Sequence, residues 1–217
     1  MKRFAIPVLV VLLSVSACAT SSRTVTSVEA VLGLESVQRP ADVAERWGEY
    51  EIRPADEEGY LYEDDMLSVM VVPSGGVFAM EVENRTDHSI RLIWDDASYV
   101  GPDGYASGVV SGETTWMDIG GPQPSQVVPA RARLSVRAMP TRNLNRSERQ
   151  VIGFFPGATS CADVEGVEAR LVMPFEIEGA VNEYTFQFSL LGAFEVETRS
   201  VGHTRLRDAE TGRQPCS

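Results

Sequence analysis

Between Tyr184 and Leu190 apolar and polar side chains alternate without a break. Tyr184, Phe186, Phe188 and Leu190 fall on one side, Thr185, Gln187 and Ser189 on the other. A period of two separates these sets cleanly only on an extended strand, because a helix would mix them round its circumference. The pattern recurs along the chain. Leu67, Val69 and Val71 alternate with Ser68 and Met70; Phe78, Met80 and Val82 oppose Glu81 and Glu83; Ile90, Leu92 and Trp94 oppose Arg91 and Asp95. Further on, Ala132, Leu134, Val136 and Ala138 oppose Arg131, Arg133, Ser135 and Arg137.

Turn signals separate these runs. Pro73-Ser74-Gly75-Gly76, Arg85-Thr86-Asp87-His88, Pro102-Asp103-Gly104 and Glu178-Gly179-Ala180-Val181-Asn182 carry the residues that turns need. Additional strands are expected over Tyr105 to Val110, Val151 to Phe155, Arg170 to Ile177 and Ala193 to Thr198, with a hairpin over 178–182. Ser111 to Val128, rich in Gly, Pro and Ser, is expected to be a long loop. About eight or nine short strands with almost no helix predict an all-β antiparallel fold. Alternating rather than fully apolar strands argue against a parallel α/β sheet. The expected architecture is an immunoglobulin-like β-sandwich with Trp94 in its core; no cysteine pair flanks Trp94 as in antibody domains.

The 217-residue length suits one domain plus a tether. Hydrophobic content of 43% and charged content of 23% are enough for a real core, which excludes a disordered chain. The net charge of −12 disfavours nucleic-acid binding, which needs clustered cations against phosphate. Lys2 is the only lysine. His88 and His203 stand far apart with no neighbouring ligand pattern, so they read as solvated or capping residues.

The N-terminus is organised differently. Met1-Lys2-Arg3 is basic, and Phe4 to Leu13 is apolar apart from Pro7. A spanning helix needs about 20 apolar residues, so the run is too short to cross a bilayer. A basic start, a short apolar run and small residues describe a secretory signal. Val15-Ser16-Ala17-Cys18 resembles the lipobox of bacterial lipoproteins, and the resemblance covers residues 1–18. It implies cleavage before Cys18, a thioether-linked diacylglyceryl group on that cysteine, and acylation, with palmitate for example, of its amino group. Several chains make a stable anchor, since each buried methylene contributes about 0.8 kcal/mol and one chain alone is marginal. The alternative is an ordinary secretory signal with a cysteine near the cut. Ala19, rather than aspartate, implies retention at the outer membrane, facing the periplasm, in a two-membrane host.

The expected division is therefore a signal peptide over 1–17, an anchor and tether region over 18–47, a sandwich over 48–200 and a tail over 201–217. Ala19 to Thr26 reads as flexible tether. Val28 to Leu34 and Pro40 to Trp47 are each expected to form a short helical turn.

With Cys18 lipidated, Cys161 and Cys216 are left in an oxidising compartment, so a disulfide between them is expected, with two free thiols as the alternative. No Cys-x-x-Cys and no zinc spacing occur. Glu49, Glu51, Asp56, Glu57, Glu58, Glu63, Asp64 and Asp65 form an acidic stretch that reads either as a solvated loop or as a calcium site, although it fits no EF-hand loop. Arg131, Arg133, Arg137, Arg142, Arg146 and Arg149 read either as one polar face plus a loop or as a docking patch for an anionic partner. Asp95-Asp96 and Ser98 lack a histidine at catalytic spacing, and no Gly-x-Ser-x-Gly, Ser-x-x-Lys or His-Glu-x-x-His occurs.

The stretch Val82-Glu83-Asn84-Arg85-Thr86-Asp87-His88-Ser89-Ile90-Arg91-Leu92-Ile93-Trp94-Asp95 resembles the strand, Asn-x-Thr turn, strand hairpin of bacterial lipoproteins that carry one such sandwich. That resemblance spans about residues 60–110 and implies a fold, not an activity. The expectation is a non-enzymatic envelope lipoprotein, without cofactor or metal, whose sandwich binds or scaffolds an envelope protein or polysaccharide through a sheet edge or the arginine-bearing face. A carbohydrate- or ion-binding module is the second expectation and a hydrolase without a recognisable motif the third.

Overall fold

A computed structural model describes residues 22–40, 48–55, 59–201, 204–205 and 213–216. Cys18, Pro40 to Trp47 as a helical turn, and His203 lie outside the described residues, in whole or in all but Pro40. No α-helix occurs among the described residues, and hence none long and apolar enough to cross a membrane.

Two antiparallel sheets face each other. The first is built on β1 (Ser22–Gln38), β13 (Glu168–Ile177) and β14 (Ala180–Val201), in the order β1-β14-β13. Its far edge is shared by β6 (Ile90–Leu92) and β7 (Ser98–Val100), both on β13, with β9 (Gln126–Val128) beyond β6. The second sheet runs β2 (Glu51–Pro54), β3 (Tyr60–Glu63), β4 (Leu67–Ser74), β5 (Val77–Asn84), β10 (Arg133–Pro140) and β8 (Ala106–Ser111). Strand β8 belongs to both. Ala106 to Gly108 pair with β7, and Val109 to Ser111 pair with β10. A strand that changes sheets at a bend makes the corner of a sandwich.

The alternating residues meet between the sheets. Val69, Val71, Phe78 and Val82 from the second sheet and Leu171, Phe175, Phe186 and Phe188 from the first are fully buried in one cluster. Phe78 and Phe188 bring their ring centroids to 4.9 Å across the gap. Trp94 is buried, as expected, and its indole N–H donates to Gln126 Oε1 at 2.9 Å. That bond gives a buried polar group its partner. The architecture is an antiparallel β-sandwich; the strand order is this chain's own.

The structure corrects several expectations. Val28 to Leu34 is not helical, and Ser22 to Thr26 is not tether: all lie in β1, paired with β14 from Val201 down to Thr185. Val28, Leu32, Leu34 and Val37 face the core. The sheet thus takes in residues N-terminal of 48. Val151 to Phe155 is not one strand. Only Gln150–Val151 pair, as β12 with β11 (Leu144–Asn145), and Phe154 and Phe155 plug the core from a loop. The alternating run from Tyr184 to Leu190 and the strand expected over Ala193 to Thr198 are parts of the single strand β14.

The hairpin before β14 is tighter than expected. Ile177 pairs with Ala180, leaving Glu178 and Gly179 as a two-residue turn with φ of 52° and 80°. Positive φ at both central residues matches the right-handed twist of the strands. After β14, β15 (Thr204–Arg205) and β16 (Arg213–Pro215) return onto it, so part of 201–217 is sheet rather than free tail. The last contact is covalent: Cys161, in a 3-10 turn Cys161–Asp163, is disulfide-bonded to Cys216.

The expected loop over 111–128 is shorter: Ser111 ends β8, Gln126–Val128 form β9 on β6, and the loop between them is organised round Gln123. Its amide donates to Val109 O at 2.9 Å and accepts from Ser111 N at 2.9 Å, while its own backbone N–H donates to Asp95 Oδ1 at 2.8 Å. Ile119 packs with Val110 and Leu144 in a small second core.

Candidate functional site

The outer face of the second sheet carries an open groove of about 500 Å³. Strand alternation builds its floor. Met70 and Val72 on β4, Ala79 and Glu81 on β5, and Ser135 and Arg137 on β10 all point away from the core. Register arranges them in two rows across the strands: Met70, Glu81, Ser135, and then Val72, Ala79, Arg137. Gly112, Glu113 and Gln126 form the wall. Gly112 permits this closeness. Its N–H donates to Arg137 O at 2.8 Å, and a Cβ there would sit 2.8 Å from Arg137 Cβ.

The wall's polar groups largely satisfy one another. Gln126 Nε2 donates to Glu113 Oε2 at 3.0 Å, and Gln126 Oε1 accepts from Trp94. Glu81 on the floor accepts from Arg133 at 3.3 Å. Arg137 is the one basic side chain of the lining, and it makes no ion pair among the described residues. A volume within the usual range for ligand sites, the apolar side chains of Met70, Val72 and Ala79 and one uncommitted cation suit binding.

The six arginines do not gather at one point. Arg131, Arg133 and Arg137 share the outer face of β10 and its approach, spread over about 20 Å. Arg131 pairs with Asp87 at 2.9 Å and Arg133 with Glu83 at 2.9 Å. Arg142 holds Asp103 through two bonds of 2.6 and 2.7 Å, which pushes the Asp103 carboxyl down to about 2. Arg146 and Arg149 sit in the β11–β12 turn, apart from the groove. Arg131, Arg133 and Arg142 thus have acidic partners, and of the six only Arg137 lines the groove.

The acidic stretch also divides. Glu63 pairs with Arg53 at 2.6 Å and Arg85 at 3.2 Å. Asp64 leaves the surface entirely. Its carboxylate accepts from the hydroxyls of Tyr62 and Tyr184 at 2.6 and 3.2 Å and from the backbone of Met66 and Leu67 at 2.9 Å each. Arg39, itself nearly buried, lies 3.5 Å away and stacks over Tyr50 at 4.8 Å. Asp56, Glu57 and Glu58 lie outside the described residues. No group of three potential metal ligands forms among the described residues.

Asn84 occupies the Asn-x-Thr turn. Its amide donates to the carbonyls of His88, Val128 and Pro129 at 2.6, 3.0 and 2.9 Å, and its carbonyl accepts from Thr86 N and Oγ1. This ties the β5–β6 turn to the end of β9. Asp95 is spent on Gln123, Asp96 is exposed, and Ser98 is half-buried in β7. His88 is exposed and serves through its backbone carbonyl.

Sequence reasoning missed the groove and the Asp64 network. The groove was legible only as the outward half of each alternating strand; which strands were neighbours depended on register. Asp64 looked like any member of an acidic run. No protein-family model, curated protein or solved structure matches the chain.

Proposed function

We propose that this chain is an envelope lipoprotein: anchored through lipid on Cys18, facing the periplasm from the outer membrane, and presenting a non-catalytic sandwich that binds a protein partner. The order of basic start, apolar run and Val15-Ser16-Ala17-Cys18 supports the anchor. The groove over β4, β5 and β10 supports binding, and it is the observation that carries this part. Met70, Val72 and Ala79 in its floor offer apolar area to a partner and Arg137 offers one directional charge, as binding surfaces do. Asp95 holds a backbone amide and Asp64 holds four donors, so both carboxylates have positioning work already.

In-cell crosslinking of the lipidated protein tests the proposal. A discrete protein adduct from the envelope fraction is expected. Adducts restricted to carbohydrate would sink it in favour of a sugar-binding module.

A further inference from the structure

Strand β10 is paired along one edge and half open along the other. Asn84 N donates to Ala132 O, which sets the phase of the β10–β5 ladder: Leu134, Val136 and Ala138 direct their backbone groups to β5. Arg133, Ser135 and Arg137 therefore direct theirs to the opposite side. There β8 serves β10 only from Ala138 to Pro140, plus the Gly112 bond to Arg137 O. The chain then turns away, closed by Thr114 N donating to Ser111 O at 2.9 Å. No strand pairs with the β10 edge at Arg133 and Ser135 among the described residues.

This open edge lies in the groove, whose lining includes both Ser135 and Val136. An unpaired edge with a shaped surface beside it is a template for strand addition. We propose that the β10 edge accepts an extended segment of a partner protein as an added strand, with a carboxylate of that segment placed against Arg137. This deepens the binding function proposed above and rests on it. Gly112 takes Arg137 O, so the open edge runs from Arg133 to Val136 and is about 13 Å long, room for one short strand. Ser135 supplies a donor and an acceptor pointing outward. Side chains of the added strand on the outer face would adjoin Ser135 and Arg137, with Ala79 and Val72 one and two strands further in. Arg133 is already engaged by Glu81 and Glu83, so Arg137 is the cation left to set charge preference.

The test uses a random twelve-residue peptide library displayed on phage, selected against the immobilised chain carrying Cys18→Ala. Two variants serve as controls. Ser135→Pro removes the outward N–H without touching the β5 ladder, since Ser135 does not donate to β5. Arg137→Glu keeps the backbone and reverses the charge, so it remains informative if Ser135→Pro fails to fold. Selected peptides are expected to carry Asp or Glu at a fixed position and to bind Ser135→Pro roughly tenfold more weakly. On Arg137→Glu the preference should change to Lys or Arg at that position. Failure to select peptides, or selection that both variants leave unchanged, would overturn the proposal. In-cell protein adducts that persist in both variants would place the partner elsewhere, overturning this site while leaving protein binding intact.

Discussion

The Tyr62 hydroxyl donates a 2.6 Å hydrogen bond to the Asp64 carboxylate inside the core, where neither residue meets solvent appreciably. Tyr184 from the opposite sheet donates to the same oxygen, so one carboxylate links the two layers. Arg39, just past β1, brings the positive charge. Loss of the carboxylate would leave Arg39 and two hydroxyls buried without their acceptor. Asp64→Ala is expected to destabilise the fold by about 3–5 kcal/mol, measured by denaturant unfolding. Asp64→Asn, which keeps an acceptor but not the charge, should cost less.

The same network predicts behaviour in alkali. Burial, then the Asp64 charge beside them, push the Tyr62 and Tyr184 hydroxyls far above the ordinary tyrosine range. Burial, against the nearby Arg142 charge and with that of Asp103, pushes Tyr99 up to about 12. A folded value above the unfolded one, near 10, means the unfolded chain gives up its proton first as pH rises. The associated stability is full below about pH 10 and is lost above it. Absorbance of the phenolate should show Tyr62, Tyr99 and Tyr184 ionising together with unfolding. Smooth reversible titration of all six tyrosines in the folded chain would contradict this.

Asn84 makes a sharper case, because its amide faces three carbonyl oxygens. Asn84→Asp replaces the donors with an acceptor and sets charge against those oxygens. It is expected to destabilise more than Asn84→Ala, whose cost should be about 2–3 kcal/mol from unsatisfied buried groups. Thermal melting of both variants checks the order.

These two hubs show where the sequence was readable. The stripe Tyr184, Phe186, Phe188 was legible as strand because a period of two admits no other regular element, and all three side chains are buried. Val28 to Leu34 was not legible. Val28, Val31 and Leu32 fit helical spacing as well as Val28, Ala30, Leu32 and Leu34 fit a strand, and a register shift between Val31 and Leu32 blurs the alternation further. Pairing with β14, a partner more than 150 residues away, settles it. The same reasoning explains Asp64. Nothing near it in sequence announces Tyr184 or the burial that makes an acidic run's member into a core acceptor. The groove's strands were legible one by one, but not their order.

The Cys161–Cys216 bond closes a separation of 55 residues. Together with Cys161 N donating to Glu195 Oε1 and Cys216 N donating to Ala193 O, it holds the chain end against β14. Cys216→Ser should lower stability by about 4 kcal/mol on the chain-entropy model. Urea unfolding with and without reductant measures it: reductant should reproduce the variant's midpoint in the wild-type chain and leave the variant unmoved.

In the proposed function, lipid on Cys18 holds this sandwich at the envelope. Labelled palmitate fed to a two-membrane bacterium expressing the full chain, beside Cys18→Ala, tests it most directly. Wild type should take up label and partition with the membrane, and Cys18→Ala should do neither. Equal labelling and equal membrane retention of the two would contradict the claim.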